Sequence, residues 1–478
     1  MEPQSIPVKR AQVEFHSFAS LGEPERVLAI YAEENRRRGG LIRKHLGFIG
    51  GLTPFVEIGA NAGHTSYLLA NEFGAEGFAL DLSADALRYG VVLQERWGLE
   101  RAPVRVAGDA ERLPFRDGSM RFAMACQMLY QFMDIERIFV EVKRILAPGG
   151  VFLFTEEPLK RLLSLRLYRC PYWESMKPWE RKLFEWGLLG YLVRDVIGAR
   201  QEESFGIRLN HKMGLKDWRR LAEKHFVAQE YEIFVPERGW GESAVKRMAV
   251  RLDRYRSVWR AARLLGGTVT AVCRKGGSPS ECPRFEMDRF EAVLRCPDCG
   301  GDLGRGADEA LRCARCGYWA AKEEGVYNLL PAAERKQLYP GEREDTLDVS
   351  RAGHERHLGE GWHEVEGVFG NKYRWIGGRA TARLKRVQAG PLRLRVRGNA
   401  PEAAFAHGAV RIRVAVNGAP TGEMGLHRTG LFVFEADVPE AAEYLVEIQA
   451  QPVWRAPGDG RDLTVTLSMI RLVLREGA

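Results

Sequence analysis

From Pro54 to about Lys275 the chain alternates short apolar runs with amphipathic stretches. The runs "FVEIG", "GFALDL", "VRVAGD", "RFAMACQ", "GVFLFTE", "VAQEYEIFV" and "TVTAVCRK" have the length and apolar weighting of buried or half-buried strands. Between them, "SADALRYGVVLQERWG" and "DIERIFVEVKRILAPGG" repeat apolar residues at helical spacing, and Pro148 with the glycines after it stops the second. Seven strands with intervening helices predict a doubly wound α/β domain, one sheet with helices on both faces. Periodicity leaves the strand order open.

Around "CRKGGSPSECP" the pattern breaks into a Gly, Ser and Pro linker. A small cysteine-bearing segment follows. After the charged connector "ERKQLYPGEREDTLDVSRAGHERH", the runs "LRLRVRG", "AVRIRVAVNG", "LFVFEADV", "YLVEIQAQPVW" and "LTVTLSMIRLVL" alternate apolar with polar residues. That period of two, with the hairpin signal Asn417-Gly418, predicts an antiparallel β-sandwich. The expected organisation is therefore a domain over residues 1–276, a cysteine module over 284–332 and a sandwich over 345–478.

Composition narrows the class. With 478 residues, 45% hydrophobic and 28% charged, the chain has the make-up of a soluble protein of several domains. No stretch reaches the roughly 18 to 20 apolar residues of a membrane span, and "MEPQSIPVKRAQVEF" lacks a signal-peptide core, so a cytoplasmic location is expected. The net charge of +8 leans weakly toward polyanionic or membrane-surface partners.

The stretch "VEIGANAGHTS" follows the first strand and is poor in side chains. A P-loop needs a Lys after its last glycine, and none is present. A dinucleotide fingerprint needs glycines at positions held here by Asn61 and His64. What remains, Glu57 followed by Gly59 and Gly63, resembles motif I of the class I S-adenosylmethionine (SAM) methyltransferases, with Asn61 replacing a usual glycine. The resemblance implies a seven-stranded Rossmann-like fold and SAM as cofactor. It places the loop beneath the methionine end of SAM, where a Cβ on the glycines would collide with the ligand. It also implies that Asp81, with Leu82 beside it, accepts the ribose hydroxyls and that Asp109 and the backbone at Ala110 face the adenine. "GDAERLPFRDGS" and "RILAPGG" match the family's later signatures. Taken singly, Asp81 and Asp109 also read as caps of the elements that follow them. Arg121 stands where related sequences carry an Asp, which keeps open a domain that binds SAM without turnover.

An acceptor hydroxyl needs a general base. The family's arrangement points to Tyr130, Glu156, Glu157 and His211, and sets His64 at the methionine end of SAM or the substrate rim. Residues 158–210 mix Lys and Arg with Trp173, Trp179 and Trp186 and read as a helical lid. The same segment also suits plain core packing, an anionic membrane surface, or a phosphate-bearing substrate.

Cys296, Cys299, Cys313 and Cys316 form two CxxC knuckles, the spacing of a closed structural Zn²⁺ site. The continuation "GYWAAKEEGVYNLLP" resembles the zinc-ribbon activating subunit of tRNA and release-factor methyltransferases, which implies a docking or stabilising module. "GEGWHEVEG", "KYRWIGGRATARL" and "GDGRDLTVTLSMIRLVL" resemble a β-sandwich appended to bacterial enzymes of surface-polysaccharide assembly. There Trp362, Tyr373 and Trp375 either stack on sugar rings or fill the core. Together these readings lead to a methyltransferase acting on a sugar or glycan precursor hydroxyl, with polysaccharide-assembly enzymes as partners. The rivals are an RNA methyltransferase, disfavoured because "QMLYQF" replaces a base-methylating motif after strand four, and a non-catalytic SAM- or carbohydrate-binding scaffold.

Overall fold

The computed structural model describes residues 24–132, 134–160, 213–235, 240–253, 257–278, 285–339, 343–351, 353–367, 372–387, 389–427 and 429–475, with a few isolated positions besides. Strands β1 (Phe55–Ile58), β2 (Gly77–Asp81), β3 (Val104–Ala107), β4 (Met120–Cys126), β5 (Leu146–Leu159), β6 (Ala228–Phe234) and β7 (Gly267–Arg274) fall on the seven apolar runs. Helices α1 (Pro24–Ile49), α2 (His64–Glu72), α3 (Ala84–Arg96), α4 (Ile135–Ile145), α5 (Leu215–His225), α6 (Trp240–Arg251) and α7 (Trp259–Leu265) accompany them. In α4, Asp134 caps the first turn through Arg137 N, and Ile135, Ile138, Phe139, Val142 and Ile145 make its buried stripe. The helix ends before Pro148, whose ring clashes with a preceding helical turn.

These strands lie in the order β3-β2-β1-β4-β5-β7-β6. β1 to β5 run parallel, and β7 is antiparallel to both its neighbours. The chain reverses direction across the sheet between β1 and β4, which opens a crevice at the carboxyl ends of the strands. Alternation along β4 sends Phe122 and Met124 to a core shared with Ile42, Ile49 and Leu69, while Ala123 and Ala125 face the core of Phe139, Phe152 and Trp218.

The sheet exceeds the expected seven strands. The cysteine segment forms a small sheet of β8 (Gly304–Arg305), β9 (Leu311–Arg312) and β10 (Trp319–Ala320), then a hairpin of β11 (Lys322–Glu323) and β12 (Val326–Asn328). β12 pairs in parallel with β3, Val326 to Arg105 through Asn328 to Ala107, giving nine strands in one sheet. Leu329 N donates to Ala107 O at 2.8 Å, Arg295 N to Pro114 O at 3.0 Å and Arg116 N to Val293 O at 2.9 Å. Phe78, Phe115, Phe290 and Tyr327 pack ring against ring in one core with Cys296 and Cys313. Residues 1–16 and 29–338 accordingly form one compact unit.

The second unit comprises residues 17–28 and 339–478. One of its antiparallel sheets runs Trp362–Glu366, Tyr373–Ile376, Thr466–Leu474, Leu392–Ala400, Gly430–Asp437, with Thr346–Asp348 pairing onto Thr466–Leu474. The other runs Arg379–Lys385, Glu443–Gln451, Val410–Val416, Ala419–Leu426. Alternate residues of both meet in a single apolar core. The hairpin at Asn417-Gly418 has φ of 52° and 80°, the mirror-image turn that this residue pair favours. Trp362 and Trp375 pack against the core, their indole N–H groups donating to Thr381 O and Glu366 Oε2.

Candidate active site

A cavity of about 220 Å³ opens at the carboxyl ends of β1 to β4. Gly59, Asn61 and His64 supply one wall, Leu80, Asp81 and Leu82 the next, and Gly108, Asp109 and Ala110 the third. Cys126, Gln127, Met128, Tyr130, Gln131 and Phe132 close it from β4, and Tyr31, Glu34 and Arg38 from α1.

The loop's backbone explains its bareness. Gly59 and Gly63 have φ of +70° and +76°, where a side chain is strained. A Cβ on Gly59 would lie 3.0 Å from the Met128 side chain, and one on Gly63 3.3 Å from Ala79. The glycines are thus required by neighbouring protein atoms, a constraint that operates without the ligand collision the family resemblance implies. Asn61 takes φ 52°, a left-handed conformation that Asn tolerates better than most residues, so the turn stays tight without a third glycine.

Asp81 is buried and pinned. Its Oδ2 accepts from Asn61 N at 2.8 Å and its Oδ1 from Ser83 N at 2.8 Å. The cap of α3 is Ser83, bonded to Ala86 N, which leaves Asp81 to fix the loop and face the cavity. Asp109 does cap the short turn Ala110–Arg112 through Glu111 N, and its other oxygen takes Lys9 Nζ at 2.8 Å. Lys9 also reaches Glu334 at 2.7 Å. Burial alone would lower the Lys9 pKa, and the carboxylates of Asp109 and Glu334 reverse this and raise it.

Glu57 sits beneath the loop in β1, buried, accepting from Ser66 Oγ at 2.6 Å, and it does not line the cavity. Burial raises its pKa. On the opposite side, Glu156 pairs with Arg37 at 2.8 Å and Arg38 at 3.2 Å and accepts from Gln127 Nε2 at 2.9 Å. Glu156 and Gln127 have φ of 62° and 53°. With Asn61, three non-glycine residues are thus held left-handed, two just past the ends of β1 and β4 and Glu156 at the register irregularity within β5, backbone strain of the kind that gathers at functional sites. Glu157 is buried and accepts three backbone N–H bonds, from Met128 at 3.1 Å, Leu129 at 2.9 Å and Tyr130 at 3.1 Å.

Residues 56–154, the segment carrying the loop and both aspartates, match the family model described as "Methyltransferase domain". This part of the chain is similar to that family. Norajmaline N-methyltransferase of Rauvolfia serpentina is 25% identical over 130 residues, 27% of this chain and 42% of that protein. Malonyl-[acyl-carrier protein] O-methyltransferase of Methylococcus capsulatus is 34% identical over 114 residues, 23% of this chain and 40% of that protein. The chain thus spans about two fifths of the length of the curated relatives it matches. A putative sarcosine dimethylglycine methyltransferase from Galdieria sulphuraria aligns at 18% identity and a TM-score of 0.33, over 50% of this chain and 86% of that one.

Around the matched segment, Gly59, Asn61, Asp81, Leu82, Asp109, Ala110 and Tyr130 meet at one cavity, while Glu57, Glu156 and Gly63 do not line it. His211 and nearly all of the proposed lid lie outside the described residues. Arg121 belongs to the amino end of β4, at the opposite end from Cys126 and the cavity, so its departure from the family pattern does not touch the site. Sequence reasoning missed Tyr31, Glu34 and Arg38. Their spacing of three and four on one helix, i, i+3 and i+7, was the available signal.

The four Sγ atoms of Cys296, Cys299, Cys313 and Cys316 lie within 4.8 Å of one another, with Cys296–Cys316 and Cys299–Cys313 at 3.5 Å. A tetrahedral site with Zn–S of about 2.3 Å has S–S edges of about 3.8 Å. The cluster fits a closed four-thiolate site. Cys126 and Cys273 are buried and apart from it, and burial raises both thiol pKa values.

Proposed function

We propose that the chain is a SAM-dependent methyltransferase whose acceptor is a small-molecule hydroxyl, in the narrower reading that of a sugar or glycan precursor. The observation that carries the first half is the convergence of the left-handed loop at Gly59–Asn61 with the carboxylates of Asp81 and Asp109 around one cavity within the matched methyltransferase segment. SAM brings an activated methyl group on a sulfonium. The chain's own residues then bind, align and exclude water. Asp81, with two of its lone-pair directions already fixed by backbone N–H groups, retains acceptor capacity for a ribose diol. Asp109 and Ala110 stand at the next strand end for the adenine, and the loop takes the methionine end. Tyr130 and Gln131 face the remaining space, where the acceptor enters.

The narrower reading draws on the resemblance of the C-terminal segments to polysaccharide enzymes and on the two antiparallel sheets there. It carries with it a structural zinc at the four cysteines, a cytoplasmic setting and polysaccharide-assembly partners. Methyl-labelled SAM supplied with total RNA in one tube and with glycan precursors of the source cells in another tests it. Label in the glycan fraction is expected. Label in RNA alone favours the RNA reading, and label in neither, with SAM bound, favours a binding protein.

A further inference from the structure

We infer that Gln12 reads the edge of the adenine ring at the Asp109 wall of the cavity, and that Lys9 is the positioning residue that sets it there; this rests on the SAM-binding half of the reading above. Lys9 and Gln12 are both helical and both buried, at 3% and 6% exposure. Three positions apart, they share one face of the helical turn. Gln12 lines the same cavity as Gly108, Asp109 and Ala110, and Lys9 is bonded to that wall directly, its Nζ donating to Asp109 Oδ2 at 2.8 Å.

A buried ammonium is costly unless carboxylates meet it. Two do so here, and they come from different parts of the chain. Asp109 stands at the end of β3, its other oxygen fixed by Glu111 N at 2.9 Å. Glu334 takes Lys9 Nζ at 2.7 Å and belongs to α8 (Ala332–Leu338), whose first N–H, on Ala332, donates to Asp298 Oδ1 at 2.9 Å. Charge-assisted bonds of this kind are stronger than neutral ones. Lys9 is thus clamped between β3 and α8, and the clamp fixes where its neighbour on the same face, Gln12, meets the cavity.

The edge of adenine sets an N6–H donor beside a ring-nitrogen acceptor. A carboxylate only accepts, and both oxygens of Asp109 already take a protein hydrogen. A primary amide carries an oxygen acceptor and an NH2 donor side by side, the pair that matches the base. The Gln12 amide bonds to no other described residue, and its oxygen and nitrogen stay accessible rather than sealed. The side chains of this wall therefore divide the work. Asp109 and Lys9 hold each other, and Gln12 meets the ligand.

The test is calorimetry on the full chain with S-adenosylhomocysteine, and with adenosine measured by its competition against that ligand. Gln12→Ala should keep the wild-type denaturation midpoint and bind S-adenosylhomocysteine about 2- to 13-fold more weakly, the range for one neutral hydrogen bond. Adenosine should lose the same factor, because both ligands carry the base. Lys9→Met should lose at least as much, and Lys9→Arg, which keeps a cation between the two carboxylates, should recover it. Gln12→Ala added to Lys9→Met should cost little more, since Lys9 acts through Gln12. Wild-type affinity in Gln12→Ala, a loss for S-adenosylhomocysteine that spares adenosine, or losses that add in the double variant would overturn the proposal and leave the methyltransferase reading intact. Should Lys9→Met not fold, the two ligands on Gln12→Ala decide alone. A folded wild-type chain that binds neither ligand overturns both.

Discussion

Removing the carboxyl of Glu157 probes the fold and the site together. It holds three backbone donors in a row, Met128 N, Leu129 N and Tyr130 N, in the turn whose side chains Met128 and Tyr130 line the cavity. In Glu157→Ala all three lose their acceptor, at about 1–3 kcal/mol for each buried group. Tyr130 is partly exposed and its N–H can turn to water, so a loss of about 2–6 kcal/mol from the other two is expected. Glu157→Gln keeps one oxygen for Met128 and Leu129 and sets its amide NH2, a donor, against Tyr130 N, a loss of about 1–3 kcal/mol. Urea denaturation with a shared m-value measures both, and calorimetry with S-adenosylhomocysteine reads whether the turn still shapes the cavity. An Ala variant within 1 kcal/mol of the wild type, or a Gln variant as damaged as Ala, would refute the assignment of three bonds. A pH dependence accompanies it. Burial pushes the Glu157 carboxyl up to about 8, against the pull of its three N–H bonds. The folded state then holds a proton that the unfolded state gives up, so this contribution is complete below about pH 4.5 and fades as pH rises toward 8. The wild type should lose stability over that window more steeply than Glu157→Gln.

Asp81→Ala should weaken SAM binding by about 1.5–3 kcal/mol, the range for hydrogen bonds to a charged group; unchanged calorimetric affinity in a folded variant would remove Asp81 from the ribose. Purified protein should carry one zinc for its four clustered cysteines, and Cys296→Ser or chelation should lower the melting temperature of the doubly wound unit as well as empty the metal site, because the two share a core; metal analysis finding iron, or a unit that melts unchanged, would contradict this. Lys9→Met leaves Asp109 and Glu334 unpaired, and its cost should fall below the roughly 3–5 kcal/mol of a fully buried pair, since the Glu334 side chain keeps 27% of its exposure; equal denaturation midpoints would show that the pair contributes nothing.

The seven strands could be read because each carries several apolar residues bounded by turn formers, and the glycine loop because left-handed φ leaves few residue choices. Asn61 shows the limit: its type looked like a departure, yet its φ of 52° performs the glycine's task. The role of Glu157 was hidden because a carboxylate that accepts backbone N–H groups from another strand end looks, in sequence, like any acid after a strand. Glu34 and Arg38 were hidden for a different reason. They sit in "EENRRRGG", where a run of charges reads as a solvated helix face, and only the packing of α1 against the loop turns that face inward. β12 has three residues, too few for any period to register, so its pairing with β3 depends on contacts distant in sequence. The resemblance of the cysteine segment to an activating subunit pointed to a separate module; the shared aromatic core of Phe78, Phe115 and Phe290 makes it a continuation of the domain.

That continuation limits where the gene can be cut. A chain ended at residue 276, where the hydrophobic pattern places the domain boundary, would strip β12 from β3 and bare the Val104–Ala107 backbone together with the ring of Phe115, which is now fully covered. An unprotected parallel strand beside an apolar patch is a template for other chains. Such a fragment should aggregate on expression even though it retains every residue matched by the family model, whereas one ended near residue 338 should stay monodisperse.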